Sequence, residues 1–196
     1  MSRAEWIARV YGSTLAAMPR VRILLAVALL AVATTACGGA DDRGSVAATT
    51  WAGAVCSALT PWRTEIDSLM TKAQQRMDSA NNAEQAKVGL LELLGGAENA
   101  SEQARSKVAA AGEPDAENGK GAAKEFTDTL RRTRDAYGKA KAAVTGLPTG
   151  NSKNFYDGVS VAFKELEKEY NDGALDLDKV KSKELQKAFR EVEACK

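Results

Sequence analysis

From Trp51 to Val192 the apolar residues fall three or four positions apart, and that spacing leaves little choice of fold. Val55, Leu59, Trp62, Ile66, Met70, Ala73 and Met77 form one helical stripe. Leu90, Leu94, Ala97, Ala104, Val108 and Ala111 form a second, and Phe126, Leu130, Thr133, Tyr137, Ala140 and Val144 a third. Phe155, Val159, Phe163, Leu166 and Tyr170 make a fourth; Leu185, Ala188 or Phe189, and Val192 make a short fifth. No β-branched run alternates as a strand requires. The stripes are separated by Asn81-Asn82, by Ala111–Gly121, by Gly146–Asn151 and by Asn171–Asp178, all rich in helix-stop residues. Gly95-Gly96 falls inside the second stripe, where a bend is expected. The pattern predicts an all-α fold, an antiparallel up-down helical bundle of four to five helices over 51–196, the last helix broken near Gly173.

Ahead of this domain lies a stretch of another kind. Ile23 to Ala33 is uncharged, of signal-peptide length, and shorter than the roughly 20 residues of a membrane span. Arg20 and Arg22 precede it; Ala33, Thr34, Thr35 and Ala36 follow, then Cys37-Gly38-Gly39. The run resembles the lipobox of bacterial lipoproteins, with Thr34 where Leu, Val or Ile is usual. That resemblance implies a signal peptide over 1–36 and a mature N-terminus at Cys37 carrying a diacylglycerol, whose two acyl chains anchor the protein stably in a membrane. Met18 stands just before the Pro19–Arg22 segment and is the expected translation start. Gly38 to Thr50 is small, polar and aperiodic, so residues 37–50 are expected to act as a flexible tether, about 20 Å end to end.

Three cysteines are present. With Cys37 taken by lipid, Cys56 and Cys195 remain, and outside the cytoplasm such a pair is expected to oxidise. In a bundle with four directions of travel, the chain end returns to the pole where the first helix began, which lets Cys56 and Cys195 join the two ends. Five fully alternating helices would forbid the bond. A redox-active pair is disfavoured, since there is no Cys-x-x-Cys and no adjacent base. Trp51, Ala52, Val55, Cys56, Ala58, Leu59 and Trp62, with Ala194 and Cys195 closing the chain, resemble a family of small secreted proteins and lipoproteins of high-GC Gram-positive bacteria. The resemblance covers the two ends of the domain. It implies a helical envelope lipoprotein with one disulfide, and no activity.

The whole chain carries 27 basic and 26 acidic residues; without Arg3, Arg9, Arg20, Arg22 and Glu5 the expected mature part has 23 and 25. That interspersed balance gives no nucleic-acid signature. No histidine is present, which excludes Ser-His-Asp and Cys-His constellations and imidazole metal sites, and there is no phosphate loop. Asp172, Asp176 and Asp178 miss calcium-loop spacing and read as a helix stop and N-caps. Asp115, Glu117 and Asn118 read as solvated loop. Glu165 and Glu169, flanked by Lys164 and Lys168, read as a charged face. The sequon Asn99-Ala100-Ser101 sits mid-helix. No enzyme, cofactor or metal is therefore expected.

Trp51 and Trp62 are three helical turns apart and share a face. Core packing is the first reading for them, a ligand pocket lined also by Phe126 and Phe163 the second. Tyr137, Tyr156 and Tyr170 read as core or boundary residues before interface rims. The function expected is an interaction or scaffold module of the cell envelope, lipid-anchored on the extracytoplasmic face and binding an envelope protein or a wall component. The alternative is a small-molecule or lipid-binding lipoprotein.

Overall fold

Three of the helices start on side chains that close their first turn. In the computed structural model, which describes residues 45–172 and 180–196, the Asn82 side chain accepts from the Gln85 N–H at 2.9 Å, while the Gln85 side chain reaches back to the Asn81 N–H at 2.9 Å. Asn151 accepts from the Asn154 N–H at 3.0 Å, and Ser182 from the Leu185 N–H at 3.3 Å. Among the described residues there are five α-helices: α1 (Ala48–Ser79), α2 (Ala83–Ala110), α3 (Gly119–Thr145), α4 (Ser152–Asp172) and α5 (Lys183–Glu191). A 3-10 turn, Glu193–Cys195, ends the chain. The expected break near Gly173, with Asp176 and Asp178, lies outside the described residues; the cap of α5 is Ser182.

The all-α expectation needs one correction. Val46–Ala47 (β1) and Pro114–Asp115 (β2) pair in parallel, Val46 opposite Pro114. Two residues are too few to show an alternating pattern. Gly112, at φ 77°, turns the chain out of α2, and the Glu113 carbonyl accepts the Val46 N–H at 2.8 Å. The expected tether to Thr50 is likewise too long, because β1 and the first turn of α1 occupy 46–50. Ala48, buried, belongs to the core.

Nor do Gly95 and Gly96 interrupt the second helix, which runs unbroken through both. A Cβ on Gly96 would lie 2.7 Å from Leu69 Cδ2, so the glycine lets the Leu69 side chain of α1 pack directly on α2. Gly119 is tighter still: a Cβ there would lie 2.0 Å from the Pro114 carbonyl oxygen, which is backbone. Gly119→Ala is therefore expected to cost about 1–3 kcal/mol in urea unfolding. Gly96→Ala should stay within about 1 kcal/mol of the native chain, because the tip of Leu69 can turn aside and alanine favours helix.

The stripes become two buried clusters. The first joins the start of α1 (Trp51, Val55, Leu59), the end of α2 (Ala104, Val108), the start of α3 (Phe126, Leu130) and the C-terminal segment (Val180, Leu185, Phe189). The second joins Ile66 of α1, Leu90 and Leu94 of α2, Tyr137 and Val144 of α3, and Phe155, Val159 and Leu166 of α4. Trp62 packs against both. α2 lies between α1 and α3, α4 packs on α3, and α5 on α1. Polar ties reinforce the joins. Lys87 Nζ donates to the Thr145 and Leu147 carbonyls at 2.7 and 2.8 Å, and Arg76–Glu92, Lys141–Glu98 and Lys139–Glu169 pair across helices. Each pair is open to solvent on at least one side, so screening leaves it a small contribution to stability.

Cys56 and Cys195 are disulfide-bonded, with Cα atoms 5.1 Å apart across 139 residues of sequence. The bond fastens the end of the chain to the third turn of α1. Cys37 lies outside the described residues.

Candidate functional site

The two tryptophans singled out from the sequence have separate fates. Trp51 is fully buried, its indole N–H donating to the Gly112 carbonyl at 3.1 Å. Its ring meets Phe126 edge-on at 5.4 Å and Phe189 at 5.8 Å, and those two phenylalanines stack at 5.7 Å. Phe126 belongs to this cluster, whereas Phe163 packs against the other. The structure therefore does not bring Trp51, Trp62, Phe126 and Phe163 together around one cavity. Trp51 is a core residue.

Trp62 is half-buried and borders an open groove of ≈ 350 Å³ between α1 and α2. Small residues make the groove: Ala58 from α1, and Gly96, Ala100 and Ala104 from α2. Glu65, Asn99, Gln103 and Lys107 stand around it. The Trp62 indole N–H is already used, donating to Ser101 Oγ at 3.1 Å, while Ser101 donates to the Ala97 carbonyl at 2.8 Å. Ser101 is wholly buried, so the sequon serine is a structural hydrogen-bonding group. What Trp62 offers the groove is apolar ring surface. The short side chains of Ala58, Ala100 and Ala104 leave the space open, while the position a Cβ would take at Gly96 is filled by Leu69.

A second groove, ≈ 770 Å³, lies beside β1 between the end of α2 and the start of α3. Val46, Val108 and Ala123 give it apolar surface, and Glu113, Lys120, Lys124 and Asp128 give it charges of both signs. Lys124 and Asp128 pair with each other. Nothing in the apolar spacing marks this groove, because it depends on the β1–β2 pair.

The most perturbed carboxylate is Glu102 on α2. Hydrogen bonds from Arg105 (2.6 and 2.9 Å), then from Arg134 of α3 (2.7 Å), hold its pKa at about 2. Arg134 also donates to Asp135 at 2.6 and 2.9 Å. A general acid or base needs its pKa moved toward neutrality, and this shift runs the other way. The cluster is an ion-pair network joining α2 to α3. Because the folded carboxylate titrates below the unfolded one, its stabilisation is complete above about pH 4.5 and fades as pH falls toward 2. At 38 % side-chain exposure, solvent screening limits it to about 1 kcal/mol. Glu102→Gln is therefore expected to be about 1 kcal/mol less stable than the native chain at pH 6, a gap that closes near pH 2 in urea titrations. A gap independent of pH would show that the carboxylate charge is not the cause.

The other residues fall where solvated groups belong. Asp115, Glu117 and Asn118 are exposed, Asn118 in the left-handed region at φ 56°. Glu165 faces Lys168 at 4.0 Å, and Glu169 pairs with Lys139 at 2.7 Å. Tyr137 is buried, Tyr156 half-buried, and Tyr170 at the edge of exposure. Burial pushes the Tyr170 phenol up, with Arg63 and Asp67 of α1 near enough to act on it. Among the described residues no three His, Cys, Asp or Glu side chains are grouped to hold a metal ion, and no helix is long and apolar enough to cross a membrane. No protein family, curated protein or solved structure matches the chain.

Proposed function

We infer that this protein is an extracytoplasmic lipoprotein, anchored through a diacylglycerol on Cys37, whose helical domain is a non-catalytic interaction module of the cell envelope. One observation carries the reading. Of three cysteines, Cys56 and Cys195 are committed to a disulfide, so the odd one is Cys37, directly behind an apolar run and four small residues. A disulfide spanning the domain suits an oxidising compartment, and lipid on the odd cysteine suits the sequence around it. The resemblance to small actinobacterial lipoproteins supports the same assignment. For the bundle we favour the antiparallel up-down course. Its support is that Trp51, early in α1, meets Gly112 beyond the end of α2 and Phe126 early in α3, while Lys87, early in α2, reaches the end of α3.

The absence of catalysis is part of the proposal. It rests on half-buried carboxylates paired with cations and on a chain without histidine. The partner is an envelope protein or a wall component.

The deciding experiment is the unreduced intact mass of protein recovered from its native membrane fraction. The expected mass is that of Cys37–Lys196 with a diacylglyceryl group replacing the Cys37 thiol hydrogen, less the two hydrogens of the Cys56–Cys195 bond. Protein released into the medium with no lipid would overturn the anchor, and with it the membrane localisation. A second reading, a bound apolar small molecule, is favoured only by the groove beside Trp62. It predicts a saturable change in Trp62 fluorescence when fatty acids or phospholipids are titrated, lost in Trp62→Phe.

A further inference from the structure

Residues 180–196 are attached to the domain in an unusual way. α5 has nine residues, fewer than the roughly 12–15 an isolated helix needs to hold itself in water. Its order must come from docking. Val180, Leu185, Ala188 and Phe189 are all buried against the start of α1 and the Trp51–Phe126 pair. The ion pairs Lys187–Glu191 and Lys196–Glu193 lie within the segment itself. Beyond α5, the chain end is fastened by the Cys56–Cys195 bond, which joins the 3-10 turn to α1.

The two core clusters divide the consequences. Every buried apolar residue of 180–196 belongs to the first cluster, and the second, built on α1 to α4, contains none of them. Detaching the segment therefore removes one wall of the first cluster and leaves the second closed. The bond is also reachable: Cys195, two residues into the terminal turn, is half-buried, whereas Cys56 is 5 % exposed.

We propose that residues 180–196 form a redox-clasped strap, whose release on reduction of Cys56–Cys195 uncovers the apolar Trp51–Phe126 face while the α1–α4 body stays folded. The electrons come from a dithiol. One of its thiolates attacks a sulfur of the pair, the Sγ–Sγ bond breaks, and a mixed disulfide forms as the other cysteine leaves as a thiolate and takes a proton. The second thiol of the donor then closes on the first, so that two electrons and two protons pass to the protein and the donor ends as a cyclic disulfide. With the bond open, the docking of a helix too short to stand alone becomes a local equilibrium. Before reduction that helix is held at both of its ends.

Amide hydrogen exchange of the full chain, with and without dithiothreitol under native buffer conditions, tests this. Exchange across 183–192 should quicken by about tenfold or more on reduction, with a gain in fluorescence of an added apolar dye. Leu90, Leu94, Val144 and Phe155 should remain the more protected, losing no more than the fall in global stability accounts for. The Cys56→Ala, Cys195→Ala variant should show the same pattern without any reductant, which separates loss of the bond from side effects of the thiol reagent. Unchanged protection across 183–192 would overturn the strap. So would equal protection of both clusters after reduction, since residues 183–192 would then open only together with the whole fold.

Discussion

In the Cys56→Ala, Cys195→Ala variant, the free energy of global unfolding is expected to fall by about 4–5 kcal/mol. The bond closes a loop of 139 residues. In the chain-entropy account, cross-linking a loop of that size withdraws about this much conformational freedom from the unfolded ensemble. Alanine is the right replacement because Cys56 is almost fully buried, and a serine hydroxyl there would add its own desolvation cost. The expected reading is a lower urea midpoint together with a steeper dependence on denaturant, since the unlinked chain exposes more surface when it unfolds. A loss under about 1 kcal/mol would mean that the unfolded chain is already compact enough to gain little from the link. The variant thus measures the entropy held by the bond, while hydrogen exchange measures what the bond holds down.

The course of the chain was largely legible before the structure, and the reasons are local. All six residues of the third stripe, Phe126 to Val144, are buried. The side chains of Asn82 and Asn151 cap the helices that follow them, at breaks read from composition. The disulfide followed from counting cysteines and asking where the chain must end. What the sequence hid is what depends on partners far along the chain. Val46 joins a strand pair because Gly112 releases the backbone near it, and Gly96 reads as a bend until Leu69 is seen lying across it. Trp51 and Trp62 share a helical face, yet one is sealed by Phe126 and Phe189 while the other borders a groove. Periodicity gives the face of a residue and says nothing of what covers it.

That difference yields the second large effect. Trp51→Ala is expected to cost about 3–5 kcal/mol, in the range for deleting a buried aromatic side chain from a core that cannot collapse around the gap. Three losses combine. The indole body leaves a void beside Phe126 and Phe189, at 5.4 and 5.8 Å from its centre. Both edge contacts to the stacked phenylalanines disappear. The Gly112 carbonyl also loses its indole donor. Trp51→Phe keeps most of the volume and removes the donor, so it should cost about 1–3 kcal/mol. Trp62→Ala, at a half-exposed ring, should cost less than Trp51→Ala in the same urea titration. If the two alanine variants proved equally destabilising, the division of the core at Trp62 would be wrong. If only Trp51→Ala loosened residues 183–192 in the oxidised protein, that ring would be the seat on which the C-terminal strap rests.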